Sequence, residues 1–176
     1  RGSGGNAGFL EAVRAGLAPD GGLYVPETWP VMQDKFLRSL HGMSLHEIAF
    51  AVLHPYAGED LPAPLLREII EDAFTFDAPL MSLREGLYAL ELFHGPTLAF
   101  KDFGVRFMAM LMKQTESAAT TVLTATSGDT GAAVASAFHG LEPFRVVVLF
   151  PRGRISDFQQ KQIASLGGNV TAVSVN

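Results

Sequence analysis

The chain has 176 residues, 48% of them hydrophobic, with 13 basic against 18 acidic residues and a net charge of -5. That is enough to bury the core of one domain or a little more. No basic run of the kind that grips nucleic acid occurs, there is no cysteine for a disulfide or thiolate metal site, and no apolar run nears the ~20 residues of a membrane helix.

The opening RGSGGNAGFL lacks the basic-then-apolar order of a signal peptide. Its Arg1–Gly5 reads equally as an expression scar or a native segment. Asn6 can cap a first helix over residues 7–15, with Gly16 as its stop. Pro19-Asp20-Gly21-Gly22 reads as a turn and Leu23-Tyr24-Val25 as a short strand stopped by Pro26. Ser44 and Glu47 spell a capping box for an apolar helix through His54. A further helix follows Pro62 and Pro64 and runs to about Phe74. Residues 80–92 read as two short strands around Arg84-Glu85-Gly86.

From Thr97 the pattern changes. Residues 101–116 form an apolar-faced helix and 120–126 a β-branched strand. Residues 130–139 form an Ala-rich helix that Gly140 stops, and 145–150 a nearly all-apolar strand. Ser156 with Gln159 is a second capping box, its helix ends near Gly167-Gly168, and 170–175 is a third strand. The order predicts an α/β fold with a parallel sheet and right-handed crossovers. The continuous apolar strands predict helices on both faces. Residues 1–96 are expected to form an α-rich region with short strands, and 97–176 the start of an α/β domain. A three-stranded layer with an open edge is small, so this domain is expected to be incomplete.

Lys101 begins an apolar helix between Phe100 and Phe103. Apolar surroundings and a helix N-terminus both disfavour an ammonium ion, and a neutral amine is what Schiff-base chemistry requires. The bland alternative is a snorkelling lysine beside Asp102. The strand over 120–126 leads into Ser127-Gly128-Asp129-Thr130-Gly131 and a helix. That arrangement can offer N–H groups to an anion at the carboxyl edge of a parallel sheet, or can be an ordinary capped turn. His94, Arg106 and Asp102 read as structural hydrogen-bonders by default. Arg152 and Arg154 fit a solvent-facing loop as well as a phosphate contact. The histidines show no metal-ligand spacing, so no metal is expected.

Three motifs add a resemblance. Thr97-Leu98-Ala99-Phe100-Lys101-Asp102-Phe103-Gly104, with Glu91 upstream, resembles the pyridoxal phosphate attachment site of the serine/threonine dehydratase superfamily. With Phe93-His94-Gly95-Pro96 before it, with LAPDGGLYVPE near the start and with TATSGDTGAA further on, the chain is similar to the threonine synthase family in particular. Arg1-Gly2 fits the end of an element common in that family, which favours a native segment.

The resemblance implies a fold-type II (tryptophan synthase β-like) enzyme with pyridoxal 5'-phosphate as cofactor. It would convert O-phospho-L-homoserine and water to L-threonine and phosphate. Lys101 would be the catalytic attachment lysine, with Phe100, Asp102 and Asp129 beside the cofactor. Ser127, Gly128, Asp129, Thr130 and Gly131 would hold the substrate carboxylate. The resemblance further implies a cytoplasmic, monomeric enzyme with no nucleic-acid or membrane partner. The residues that grip the cofactor phosphate and the substrate phosphate are expected beyond Asn176. A dehydratase-like lyase and a non-catalytic cofactor-binding protein are the alternatives; Asp129 and the His94-Gly95-Pro96 context favour the synthase.

Overall fold

A computed structural model describes residues 5–126 and 128–176, which divide into two compact units, Arg1–Ile70 and Glu71–Asn176. Most of Arg1–Gly5, and Ser127, lie outside the described residues.

In the first unit, α1 spans Phe9–Ala15 and ends at Gly16, whose φ of 68° suits a residue without a Cβ. Asn6 does not cap it. Gly8 is the N-cap and the cap oxygen comes from Asp60, which accepts from Leu10 N–H at 2.8 Å. Asn6 instead donates to Glu27. A carboxylate 50 positions away displaces the local candidate, which no local rule could anticipate.

The Pro19–Gly22 turn forms as expected, with Asp20 accepting from Gly22 N–H. The strand expected at Leu23–Val25 does not: Leu23 and Val25 are 76% and 75% exposed, and no described strand pairs with them. β-propensity without a partner strand makes no ladder. A short helix α2 (Asp34–Ser39) and a 3-10 turn (Leu40–Gly42) occupy a stretch the sequence left unassigned.

Helix α3 (Leu45–Ala57) starts on the expected capping box, with Ser44 Oγ accepting from Glu47 N–H and Glu47 accepting from Ser44 N–H. It runs a turn past His54 and carries Pro55 inside. The Ser44 backbone N–H holds the Glu47 carboxyl below its ordinary range. The stabilisation from this pair is therefore present above the ordinary glutamate pKa and is lost as pH falls through the lowered value. Helix α4 (Ala63–Ala73) buries Leu66, Ile69, Ile70 and Ala73. That i, i+3, i+4, i+7 spacing is one helix face.

The second unit begins at Glu71. It therefore includes the hairpin β1 (Leu80–Arg84) and β2 (Leu87–Leu90), which turns at Gly86 with φ 71°. The sequence placed this hairpin with the N-terminal region up to residue 96. Aromatic packing explains the earlier boundary: Phe74 lies 6.0 Å from Phe103, and Phe76 lies 4.9 Å from it edge-on.

Helix α5 (Lys101–Thr115), β3 (Thr120–Ala125), α6 (Asp129–Phe138), β4 (Phe144–Pro151), α7 (Asp157–Ala164) and β5 (Val170–Val175) follow. The three strands form a parallel sheet in the order β3-β4-β5. Val146, Val148 and Phe150 of β4 are buried beneath the helices. The other face of the sheet is not covered as the apolar strands had suggested. Leu123, Val173 and Val175 on that face are 65%, 36% and 38% exposed. Helices α6 and α7 pack on each other, and α5 packs on α6, so all three lie on one side.

Asn169 ties the connection before β4 to the start of β5. Its amide donates to the carbonyls of Phe138 (2.9 Å), Leu141 (3.4 Å) and Phe144 (3.0 Å), and its oxygen accepts from Gly140 N–H at 2.8 Å. Replacing Asn169→Ala is expected to lower unfolding stability by about 2–3 kcal/mol, because several partly buried groups lose partners together. Urea denaturation measures this, and an unchanged midpoint would contradict it.

Candidate active site

The carboxyl edge of the sheet collects the chemistry-bearing segments. Helix α5 has 15 residues, about 22 Å at ~1.5 Å per residue. Strand β3 has six, about 20 Å. Residues 116–119 join the two, and α5 packs on α6, the helix that follows β3. The next segment, 126–131, leaves from that same edge, and so does the loop 152–156 after β4.

The turn before Lys101 is tightly specified. Leu98 N–H donates to Gly95 O at 3.0 Å. Leu98 itself has φ 61°, a region a branched side chain rarely adopts. Asp102, the second residue of α5, is 1% exposed. Its carboxylate accepts from Thr97 N–H at 2.9 Å and from Thr97 Oγ1–H at 2.7 Å. The structural role expected for Asp102, holding a backbone amide, is thus seen directly.

Lys101 is half-buried, with Nζ 4.4 Å from the centre of the Phe100 ring. Phe103 is not part of its surroundings as had been expected. Two residues further round the helix, it points at Phe74 and Phe76. Gly104, three residues on, shares the Lys101 face. A Cβ built there meets nothing within 4 Å, so open space flanks the lysine stem.

His94 and Arg106 take the structural roles expected of them. His94 Nε2 lies 2.7 Å from Glu91 Oε2, and its ring stacks on Phe93. Arg106 donates to the carbonyls of Asp72 and Ala73 that end α4.

The 126–131 turn is built around a residue the sequence reading passed over. Thr126 Oγ1 accepts from Gly128 N–H (3.1 Å) and Gly131 N–H (3.3 Å) and donates to Gly128 O (3.0 Å). A threonine that ends a β-branched strand carries no local mark of this task. The N–H groups of Gly128 and Gly131 are thereby engaged. Those of Asp129 and Thr130, in the first turn of α6, have no hydrogen-bond partner among the described residues, as befits helix-start donors. The Asp129 carboxylate accepts from Gln159 Nε2 at 3.2 Å. That contact links the turn to the capping box of α7, where Gln159 also serves Ser156. Gly131 is buried with no room for a side chain: a Cβ there would overlap Thr126 Cγ2 and lie 2.9 Å from Val148 Cγ1. Arg152 and Arg154 remain exposed in the neighbouring loop, where their backbone N–H groups bond Val175 O and Pro151 O.

An amine at a helix start, an aromatic ring against it and open space beside it suit an aldehyde cofactor, and the α6 helix-start N–H donors suit a carboxylate. The described residues therefore fit the amine and ring portions of pyridoxal phosphate.

The comparisons agree with this geometry. Residues 1–74 match the family model described as threonine synthase N terminus, and residues 74–176 match the one described as pyridoxal-phosphate dependent enzyme. The chain is 48% identical to the threonine synthase of Haemophilus influenzae over 169 residues, 96% of this chain and 39% of that protein. It is 43% identical to that of Escherichia coli, over 96% of this chain and 40% of the relative. The crystal structure of threonine synthase from Escherichia coli superposes with a TM-score of 0.90 at 42% identity, covering 97% of this chain and 40% of that one. The PLP-bound threonine synthase from Brucella melitensis gives 0.87 at 41% identity, over 98% and 39%. The chain spans about two fifths of the length of the relatives it matches.

Two glycines of the site should respond oppositely to alanine. Gly131→Ala is expected to destabilise by about 1–3 kcal/mol through overpacking, whereas Gly104→Ala should stabilise α5 by about 0.5–1 kcal/mol because its space is open. Thermal melts of both variants decide, and shifts of the same sign would contradict the packing described.

Proposed function

The chain belongs to the pyridoxal-phosphate-dependent enzyme family, and we propose from that premise that it carries the lysine-bearing part of a threonine synthase, acting on O-phospho-L-homoserine and water to give L-threonine and phosphate. The observation that carries this reading is Lys101 at the first position of α5, its Nζ 4.4 Å from the Phe100 ring and the turn before it held by Asp102.

In this reading Lys101 would hold pyridoxal 5'-phosphate through Nζ and would take up and release protons at that atom. The cofactor, when bound, supplies the electron sink for carbanion chemistry. Phe100 lines one side of the amine. Asp129, held by Gln159, would stand beside the cofactor, and Asp102 would act on the site through the Thr97 turn it holds. Asp129 and Thr130 present helix-start N–H groups to the substrate carboxylate, and the α6 dipole reinforces the attraction. Gly128 and Gly131 would let the backbone approach the ligand, and Ser127, proposed to join them, lies outside the described residues.

The same reading places the enzyme in the cytoplasm, as a monomer acting on a small molecule, with neither nucleic acid nor membrane as partner. No helix among the described residues is long and apolar enough to cross a membrane.

Borohydride reduction of cofactor-treated protein is expected to leave a pyridoxyl mass on the peptide carrying Lys101. Lys101→Ala should remove that label and lower turnover by about 10²–10⁴-fold. The full-length enzyme should release phosphate from O-phospho-L-homoserine. Ammonia from threonine without phosphate release would instead assign the lyase chemistry.

A further inference from the structure

We propose that Asp102 is a positioning residue for Lys101, its buried carboxylate clamping the Gly95–Phe100 turn so that the amine leaves the helix against Phe100. The proposal rests on the reading of Lys101 as the cofactor lysine, and three observations carry it.

The first is where the charge sits. Asp102 is 1% exposed, and among the described residues no cation pairs with it. An unpaired buried carboxylate is costly and persists where hydrogen bonds compensate it. Both compensating bonds come from one residue, Thr97, through its N–H and its hydroxyl. This is not an ordinary helix cap. The N-cap position is Phe100, which offers no side-chain acceptor. The carboxylate reaches back past the helix start and grips the turn itself.

The second is the strain next to the clamp. Leu98 is held at φ 61°. A non-glycine residue stays there only when its surroundings over-determine it, at a cost of about 1–3 kcal/mol. The Asp102–Thr97 bonds lie on one side of it and the Asp102 N–H bond to Ala99 O lies on the other. The outcome is visible in exposure: Ala99 is buried at 7%, while Leu98 and Phe100 stand out at 65% and 57%. Phe100 in that pose is what Nζ rests upon. Release of the clamp lets Leu98 relax to negative φ and swings the peptides that lead into Lys101.

The third is Gly95. It is outside the left-handed region, so its backbone does not require glycine. A Cβ there would overlap the Asp102 carboxylate and lie 2.7 Å from the Asp102 Cβ. The missing side chain makes room for the clamp.

The test uses the full chain and four variants: Asp102→Asn, Gly95→Ala, Thr97→Val and Thr97→Ser. The readout is the rate at which pyridoxal phosphate with borohydride labels Lys101, followed by peptide mass at a temperature where circular dichroism shows each variant folded. Thr97→Ser retains both hydrogen bonds and is expected to label like the unsubstituted chain. Thr97→Val, Gly95→Ala and Asp102→Asn should each label at least about tenfold more slowly, as misplacement of a reacting group by ~1 Å predicts. A purely structural clamp would lower the melting temperature of these variants yet leave the labelling rate unchanged, and that result overturns the proposal. Equal slowing in Thr97→Ser and Thr97→Val also overturns it, since the hydroxyl would then be irrelevant. If Asp102→Asn does not fold, the Thr97 pair decides by itself. Absence of label on Lys101 in the unsubstituted chain would sink the lysine assignment and this proposal together.

Discussion

Everything at the site depends on how closely α6 lies on the sheet. Gly131, Ala132, Ala133, Val134, Ala135, Ala137 and Phe138 are all buried, because α6 is packed by the sheet, α5 and α7 together. Gly131 touches Thr126 and Val148 with no room for even a methyl group. That approach brings the α6 start down onto the end of β3, lets Thr126 Oγ1 reach two N–H groups of the turn, and gives α5 a flat face to pack against. A larger residue at 131 would lift the helix, and the turn donors would lose their place at the carboxyl edge.

The two segments that make up the site are stabilised differently. The 126–131 turn is held by a hydroxyl network and by the Asp129–Gln159 bond, both at the half-exposed edge of the sheet. The 95–101 turn is held by a buried charge and contains backbone strain. The first arrangement leaves helix-start donors open to a ligand. The second fixes one side chain, at an energetic cost that ordinary loop closure does not require.

The apolar face of Leu123, Val147, Leu149, Val173 and Val175 is left to solvent by the described residues, and the β1–β2 hairpin is likewise apolar and exposed. Relatives continue well beyond the two fifths of their length that this chain matches. The nearly all-apolar run of β4 reads as a strand covered on both faces, but composition could not tell whether both faces would be covered within these residues.

The sequence by itself determined what depends on near neighbours. Both capping boxes formed where Ser44-Glu47 and Ser156-Gln159 were spelled, because three residues suffice to close them. The glycine stops at 16, 140 and 167–168 have positive φ, because only the local backbone decides that. The βαβαβ order, the parallel sheet and the motif around Lys101 were legible for the same reason. Tertiary structure alone decided the rest. Asp60 rather than Asn6 caps α1, the Leu23–Val25 stretch has no strand to pair with, Thr126 organises the site turn, and Asp102 turns its charge inward onto Thr97. Each of these depends on which group arrives from elsewhere or which way a buried side chain turns, and neither is written in residue type or spacing.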